Sequence, residues 1–281
     1  MIEDDVARRI FDIWERMAPG WERRNAVTWR ASEHIGRQLV DAVDPRAGET
    51  ILELAAGIGD TGFLASERVA PGGRIISSDF SPAMVEAARR RGEALGVKGV
   101  EYRVLDAQAL DLHDESVDAV VCRWGYMLMP DTEAAFRETR RVLRPGGRLV
   151  FSVWGPPAGN PWAATVAQVL VDAGHIAPAP NQPGVFALSD PARLESLVLG
   201  AGFEPPEITE VRMRWPFDSF EDYWAFTLDK AGALAMVIEQ LPVAEQGLVR
   251  SSVREALGSK ADGSFELDGL CLNVSTRSAV S

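Results

Sequence analysis

The sequence has little positive charge for its length. Asp and Glu together number 41 against 29 Lys and Arg, which gives the 281-residue chain a formal net charge of −12. Nucleic acids and anionic membrane surfaces are bound through clustered basic residues, and the one compact basic run, Arg89–Arg91, falls on a predicted helix as a solvated face. We therefore expect neither nucleic acid nor a membrane as a partner.

Cysteine, histidine and long apolar runs are also scarce. The two cysteines, Cys122 and Cys271, lie far apart, and the three histidines have no metal-ligand spacing, so we expect no disulfide framework and no metal site. No apolar run reaches the length of a transmembrane helix, and the acidic N-terminus does not resemble a signal peptide. These features predict a soluble, cytoplasmic protein.

A glycine-rich stretch, Thr50–Gly62, organises the central part of the chain. It opens with an apolar run of strand length, breaks at Gly57 and Gly59, and continues into residues whose apolar pattern suits a helix. A strand, a glycine turn and a helix in this order direct backbone N–H groups and the positive helix end at a bound group. The stretch therefore indicates a nucleotide or cofactor site.

An acidic residue within this stretch distinguishes between two classes of cofactor. Gly57, Gly59 and Gly62 match the Gly-x-Gly-x-x-Gly of dinucleotide sites, and Asp79 ends the next apolar run. Glu53, however, lies inside the first apolar run, where a carboxylate is costly to bury without a partner. A carboxylate beneath the turn would repel a pyrophosphate but would suit an ammonium or sulfonium group, so a cationic cofactor is favoured.

From residue 50 onward the pattern alternates predicted strands with helices. Five such strands joined by crossover helices predict an α/β fold with a mostly parallel sheet and helices on both faces, with ligands at the carboxyl ends of the strands. We divide the chain into an N-terminal helical lid (1–45), a cofactor-binding core (46–155) and the remainder of the sheet with an inserted helical substrate cap (156–281).

The two flanking parts of the chain give more detailed expectations. An amphipathic N-terminal helix should stop at Pro19–Gly20, and after a connecting stretch a second helix should cover Ala31–Val43. Near the other end, Glu207–Phe217 and Phe265–Thr276 read as strands, with two or three helices between them.

Two groups of residues resemble motifs of the class I S-adenosylmethionine-dependent methyltransferases. Glu53–Gly59 lies over the first motif of that family, with Ala55 in place of its first glycine. Val117–Arg123, followed by Arg141–Val150, is similar to strings that recur in the family at this separation. The resemblance is closest to the ubiquinone/menaquinone C-methyltransferases and to small-molecule enzymes of secondary metabolism.

The resemblance implies a Rossmann-like fold and S-adenosylmethionine as the cofactor. It assigns Glu53 to the methionine end, Asp79 to the two ribose hydroxyls as a bidentate acceptor, and Asp106 to the adenine amino group. The cofactor-binding residues that it implies are Trp21, Glu53, Ala55, Gly57, Gly59, Thr61, Asp79, Phe80, Met84, Asp106, Ala107 and Arg123, the last through its backbone.

Aromatic residues outside these motifs suggest the nature of the methyl acceptor. Apolar walls with few polar groups suit an apolar, aromatic or polyketide-like small molecule, and aromatic faces also tolerate the sulfonium charge. We predict that this acceptor lies near Trp29, Trp124, Tyr126 and Trp162. Positioning supplies much of the catalysis of an in-line displacement. If a base is needed, His34 is the first candidate and His175 is the alternative.

Two other functions remain open at this point. The glycine motif also fits an NAD-dependent oxidoreductase, which should not need Glu53 or Asp106. A third possibility is a non-catalytic module that binds the cofactor or a hydrophobic metabolite as a sensor, and it stays open because no base is obvious. The choice between O- and C-methylation, and between a monomer and a homodimer, is also open.

Overall fold

A computed structural model describes residues 2–177, 182–258 and 263–279 of the chain. The strands of its seven-stranded sheet are β1 (Thr50–Glu53), β2 (Arg74–Asp79), β3 (Val100–Val104), β4 (Val117–Arg123), β5 (Leu143–Trp154), β6 (Glu207–Phe217) and β7 (Phe265–Arg277). The helices are α1 (Ile2–Arg23), α2 (Asn25–Val43), α3 (Asp60–Ser66), α4 (Pro82–Leu95), α5 (Thr132–Val142), α6 (Pro161–Asp172), α7 (Pro191–Gly200), α8 (Phe220–Lys230), α9 (Ala233–Gln240) and α10 (Val243–Leu257).

The sheet has the order β3-β2-β1-β4-β5-β7-β6. Strands β1 to β5 pair in parallel with their neighbours, whereas β7 runs antiparallel to both β5 and β6. In this register Glu53 at the end of β1 lies opposite Ser77 on one side and Val121 on the other. The fold is therefore α/β with a mostly parallel, Rossmann-like sheet, as the alternating pattern predicted.

Local sequence signals account for the central elements. Strand β1 is a short apolar run whose Ile51 and Leu52 are fully buried, as expected for a strand covered on both faces. Helix α4 begins where Ser81 accepts the N–H of Met84 at 3.1 Å, and it ends at Gly96 with φ 69°. A hydroxyl N-cap and a left-handed glycine are the usual ends of a helix, so local sequence signals account for both ends of α4.

The two N-terminal helices are longer than predicted. Helix α1 continues through Pro19 to Arg23, and α2 begins at Asn25 instead of Ala31. Tertiary contacts stabilise the extra turns, because Arg23 and Arg24 form ion pairs with Asp229 of α8 at 2.5 and 2.8 Å. The prediction that Pro19–Gly20 ends the helix is wrong, since a local breaker signal can be overridden by packing.

Three helices, α8, α9 and α10, lie between β6 and β7 where inserted helices were predicted. Helix α8 packs against α1, and Arg24 joins them through a second ion pair, with Asp222, at 2.7 Å. Within residues 2–177, 182–258 and 263–279, none of the helices combines the length and the apolar character needed to cross a bilayer.

Candidate active site

A cavity of about 820 Å³ opens at the carboxyl ends of β1, β2 and β4. Its floor includes three acidic residues that follow or end strands, Glu53, Asp79 and Asp106. Residues of α1 border the same cavity, together with residues of α6, α8 and α9. The wall of the cavity is therefore formed by the sheet, by the first N-terminal helix and by helices inserted before β7.

The turn after β1 holds three residues in left-handed backbone conformations. Ala55 has φ 49°, Gly57 has φ 55° and Gly59 has φ 86°. Glycine adopts such angles without a steric penalty, whereas alanine does so at a cost of about 1 kcal/mol. The turn thus keeps the backbone path of a glycine motif even at Ala55, which replaces the first glycine and lines the cavity.

Glu53 lies beneath this turn with only 2% of its surface exposed. Its Oε1 accepts the N–H of Gly62 at 2.7 Å and its Oε2 accepts the hydroxyl of Ser77 at 2.8 Å. Gly62 has to be glycine here, because a Cβ would collide with the Glu53 carboxylate. Burial raises the pKa of Glu53 to about 7, although both hydrogen bonds and Arg123 oppose that shift.

Asp79 ends β2 and is held by backbone donors. Its Oδ2 accepts the N–H of Gly57 at 2.9 Å, and its Oδ1 accepts the N–H of Ser81 at 3.0 Å. Burial raises the pKa of Asp79 to about 6 against these bonds. Each carboxylate oxygen has a second lone pair, so Asp79 retains the capacity to accept two ligand hydroxyls.

Asp106, the residue predicted to bind the adenine amino group, lines the cavity. Asp106 is exposed two residues after β3, and its Oδ1 accepts the N–H of Gln108 at 2.9 Å. Phe80, Met84 and Ala107 line the same cavity. Of the predicted cofactor set, Gly59 is the member that does not border the cavity among the described residues; it shapes the turn as the residue before α3.

The side chain of Arg123 has a role that sequence reasoning missed. At the end of β4, its guanidinium forms an ion pair with the buried Asp60 at 3.1 Å and donates to the hydroxyl of Ser32 at 2.9 Å. It also lies 4.9 Å from the ring centroid of Trp124. The only sequence signal for the pairing was the position of Asp60 directly after the glycine turn, at the start of α3.

Lys230, at the end of α8, is a second residue that the sequence did not reveal. It lines the cavity, donates to the Thr28 hydroxyl at 3.0 Å, and lies 3.0 Å from the ring centroid of Trp21. A single lysine on an amphipathic helix gives no sign that it will face a cavity. Its location depends on how α8 packs against α1.

The other end of the cavity is walled by aromatic residues. Trp154 stacks on Trp124 with ring centroids 4.3 Å apart, and Trp162 lies 4.9 Å from Trp154. Trp215 and Phe226 extend this wall, with centroids 5.1 Å apart. Trp124 and Trp162 thus border the cavity, as required by their predicted contact with an acceptor.

Two other residues predicted near the acceptor lie elsewhere. Tyr126 is fully buried in the core, where its hydroxyl is 2.7 Å from Thr139 and its ring stacks on Phe136. Trp29 does not line the cavity and contacts Gly36 and the guanidinium of Arg123 from outside. Both predictions are wrong because the direction of a side chain in a loop or at a helix junction depends on packing.

The histidines also lie outside the cavity. His34 is exposed on α2, and its Nε2 is 3.0 Å from the carbonyl oxygen of Arg212, so its predicted role as a base is wrong. His175 lies 3.8 Å from Glu245, and His113 lines a separate cavity of about 520 Å³. Across the described residues, no group of three or more His, Cys, Asp or Glu could hold a metal ion.

Comparisons with known proteins agree with this geometry. Residues 52–151 match the family model described as a methyltransferase domain. Demethylmenaquinone methyltransferase of Thermus thermophilus is 38% identical over 146 residues, covering 52% of this chain and 66% of the relative. The ubiquinone/menaquinone biosynthesis C-methyltransferase UbiE of Enterobacter sp. is 35% identical over 126 residues, covering 44% of this chain and 50% of the relative.

These two matches each span less than two thirds of the relative's own length. A solved structure, the YcgJ protein of Bacillus subtilis, is similar in fold with a TM-score of 0.60 and 16% identity, covering 89% of this chain and 100% of the other. The matched segment contains the glycine turn, Asp79, Asp106 and Arg123. The chain thus carries a methyltransferase domain at residues 52–151, and this part of it is similar to demethylmenaquinone and ubiquinone/menaquinone C-methyltransferases.

Proposed function

We propose that this protein transfers a methyl group from S-adenosylmethionine to oxygen or carbon of an apolar, aromatic or polyketide-like small molecule. The observation that supports this most is a single cavity that is acidic at the strand ends and aromatic at the other end. Its volume of about 820 Å³ falls within the range of roughly 300–1,000 Å³ for small-molecule sites. Donor and acceptor could meet inside it.

The residues at the acidic end fit this cofactor. Glu53 and Asp79 are buried carboxyl groups whose pKa values are raised to about 7 and about 6, so a ligand that brings an ammonium group and hydroxyl donors would stabilise their charged forms. Thr61 lines the cavity, and within the described part of the chain its buried hydroxyl has no hydrogen-bond partner. That hydroxyl is therefore available for a hydrogen bond to a ligand in the cavity.

In the proposed reaction the chain supplies binding, orientation and exclusion of water. Asp79 would hold the ribose hydroxyls and Asp106 the adenine amino group, while Phe80 and Met84 enclose the ring. When bound, the cofactor supplies an electrophilic methyl group on sulfur. Trp124 and Trp162 would orient the acceptor for in-line attack, and such positioning supplies several kcal/mol of catalysis.

Two further observations bear on the acceptor and its surroundings. The relatives above are named for methylation of demethylmenaquinone and of ubiquinone and menaquinone precursors, which supports a ring-containing acceptor. The net charge of −12 supports a small molecule over nucleic acid. We further propose a cytoplasmic protein in which residues 1–45 act as a lid and the helices before β7 as a substrate cap.

The test is turnover with a panel of acceptors. The protein is incubated with S-adenosylmethionine and phenols, hydroxyquinones or aromatic polyketides, and products are analysed by mass spectrometry for one added methyl group. Replacing the methyl hydrogens of the cofactor with deuterium should shift the product mass accordingly. Products that do not carry the label would contradict the proposal.

A matched pair of variants tests the location of the acceptor. Trp162→Leu removes an aromatic wall of the cavity and should raise the KM of the acceptor about tenfold or more, while cofactor affinity stays unchanged. Trp224→Leu removes a half-buried tryptophan that stacks on Phe220 outside the cavity and should leave that KM unchanged. Equal effects of the two changes would contradict the predicted acceptor site.

A further inference from the structure

Lys230 is a cation placed at the cavity without an anion. The last residue of α8, it lines the cavity and donates to the Thr28 hydroxyl at 3.0 Å. Within residues 2–177, 182–258 and 263–279, no carboxylate lies within ion-pair distance of its Nζ. Its other close contact is the face of Trp21, 3.0 Å from the ring centroid.

The charged groups around Lys230 are already committed to other partners. Asp60 is paired with Arg91 and Arg123, and Asp229 is paired with Arg23 and Arg24. Burial lowers the pKa of Lys230 well below its usual value, and Arg123 lowers it further, against the smaller effects of Asp60 and Asp229. A buried amine of this kind is stabilised in its charged form when an anion arrives.

Glu53 lines the same cavity and is the opposite case, a carboxyl group that would be stabilised by a cation. Its carboxyl is buried, and burial raises its pKa to about 7. Arg123 favours the charged form of Glu53 and disfavours that of Lys230. Hydrogen bonds also link Arg123 to Lys230, because Arg123 donates to the hydroxyl of Ser32, Ser32 donates to the carbonyl oxygen of Thr28, and Lys230 donates to the hydroxyl of Thr28. One end of the cavity thus offers a carboxyl that needs a cation and an amine that needs an anion.

An amino-acid zwitterion supplies both of the missing charges. We propose that Lys230 binds the carboxylate at the amino-acid end of the cofactor while Glu53 faces its ammonium group. This assignment rests on the proposed function, because it takes S-adenosylmethionine as the ligand of the cavity. It extends that function to the helices inserted before β7, which otherwise contain none of the residues assigned to the cofactor.

The location of Lys230 makes the binding of the cofactor depend on the cap. Helix α8 is joined to α1 by the ion pairs of Arg24 with Asp222 and Asp229. A carboxylate bound by Lys230 would connect the cofactor to this pair of helices. The hydroxyl of Thr28 accepts a hydrogen bond from the same ammonium group. Cofactor binding would then favour the arrangement in which α1 and α8 together close the cavity.

The decisive experiment compares two ligands and two forms of the protein by calorimetric titration. The ligands are S-adenosylhomocysteine and its decarboxylated analogue, in which the amine is retained. We expect wild-type protein to bind the first about 10- to 100-fold more tightly, as for a hydrogen bond to a charged group. The variant Lys230→Met should lose most of that preference, with the affinity for the decarboxylated analogue unchanged or higher.

A second lysine-to-methionine variant serves as the control for Lys230→Met. Lys98→Met makes the same substitution at an exposed position and should retain the wild-type preference. If Lys230→Met retains the preference for the carboxylate ligand, Lys230 does not bind it and the inference is overturned, whether or not turnover is lost. If wild-type protein binds neither ligand, the proposed function itself fails.

Proton uptake gives a second measurement that does not require a variant to fold. At about pH 8.5, Glu53 with its pKa of about 7 is largely ionised, whereas burial lowers the pKa of Lys230 in the free protein, and a carboxylate bound beside it should raise that pKa again. Binding of S-adenosylhomocysteine should take up a proton, seen as a dependence of the heat on the ionisation enthalpy of the buffer. The decarboxylated analogue should take up less; equal uptake by both ligands contradicts the inference.

Discussion

At the scale of single residues, Glu53 combines a cost in stability with a proposed role in binding the cofactor. Its carboxyl is 2% exposed, and burial raises its pKa from 4.5 to about 7. Because the native state then holds a proton that the unfolded state has released, stability contributed by this group falls as the pH rises from about 4.5 to about 7. The same charge is what a cationic ligand would require.

Glu53→Gln should therefore stabilise the empty protein above neutral pH. A glutamine can accept from Gly62 and donate to Ser77 without a buried charge. We expect an increase of about 2 kcal/mol in the free energy of unfolding at pH 8, and little difference near pH 4.5, measured by urea unfolding. Cofactor affinity should fall about tenfold. The exposed Glu101→Gln serves as the control, and the absence of any pH-dependent difference would contradict the account.

Ala55 provides a second prediction at this scale. With φ 49°, it occupies a conformation that glycine adopts more easily. Ala55→Gly should raise the free energy of unfolding by about 1 kcal/mol. Ala94→Gly, at an exposed position of α4, should lower it by about 1 kcal/mol. Thermal unfolding of both variants checks the prediction, and destabilisation by both would show that the methyl group of Ala55 matters more than its backbone.

The sequence reveals site residues that depend on local order and misses those that depend on packing. Glu53 and Asp79 follow from the position of an acid within or at the end of a strand, since parallel strands bring such ends together. Lys230 reaches the cavity only because α8 packs on α1. Tyr126 and His34 fail for the same reason: their neighbours in the sequence do not determine which way their side chains point.

At the scale of secondary structure elements, α1 is attached to the core through the start of α4. The carboxylate of Glu15 accepts from the Ser81 hydroxyl at 2.5 Å and from the N–H of Ala83 at 2.9 Å. Ser81 is also the N-cap of α4 and donates its own N–H to Asp79. Helix α1, the start of α4 and the acidic floor of the cavity therefore share one hydrogen-bond network.

Glu15→Ala should loosen α1 without unfolding the sheet. It removes an acceptor at a helix N-terminus, a change that costs about 1 kcal/mol, and the loss should appear as faster hydrogen exchange in residues 8–23. Exchange in β1, β4 and β5 should not change. Asp12→Ala, an exposed change on the same helix, is the control; protection of α1 that is equal in both variants would contradict this network.

The ends of a helix can be predicted when local signals set them, but not when tertiary contacts do. Helix α4 carries its own signals, because a serine and a proline stand at its start and a glycine at its end, and the observed bounds agree with them. Helix α1 carries a breaker signal at Pro19 that the ion pairs of Arg23 and Arg24 with Asp229 overcome. Residues more than 200 positions apart meet there, and no local pattern encodes that contact.

At the scale of the whole molecule, the strand order converts separate sequence signals into one site. Because β1 lies between β2 and β4, the acids that end β1 and β2 and the arginine that ends β4 meet at one edge. Helices from both ends of the chain, α1 and α8, then cover this edge. The central claim is that the resulting cavity binds S-adenosylmethionine.

Calorimetric titration of the purified protein with S-adenosylmethionine, S-adenosylhomocysteine and NAD tests that claim most directly. Asp79→Ala, which removes the predicted ribose acceptor, is compared with Asp111→Ala at an exposed position. We predict micromolar binding of the first two ligands, none of NAD, and loss of binding in Asp79→Ala alone. Binding of NAD alone, or full affinity in a folded Asp79→Ala variant, would contradict the account.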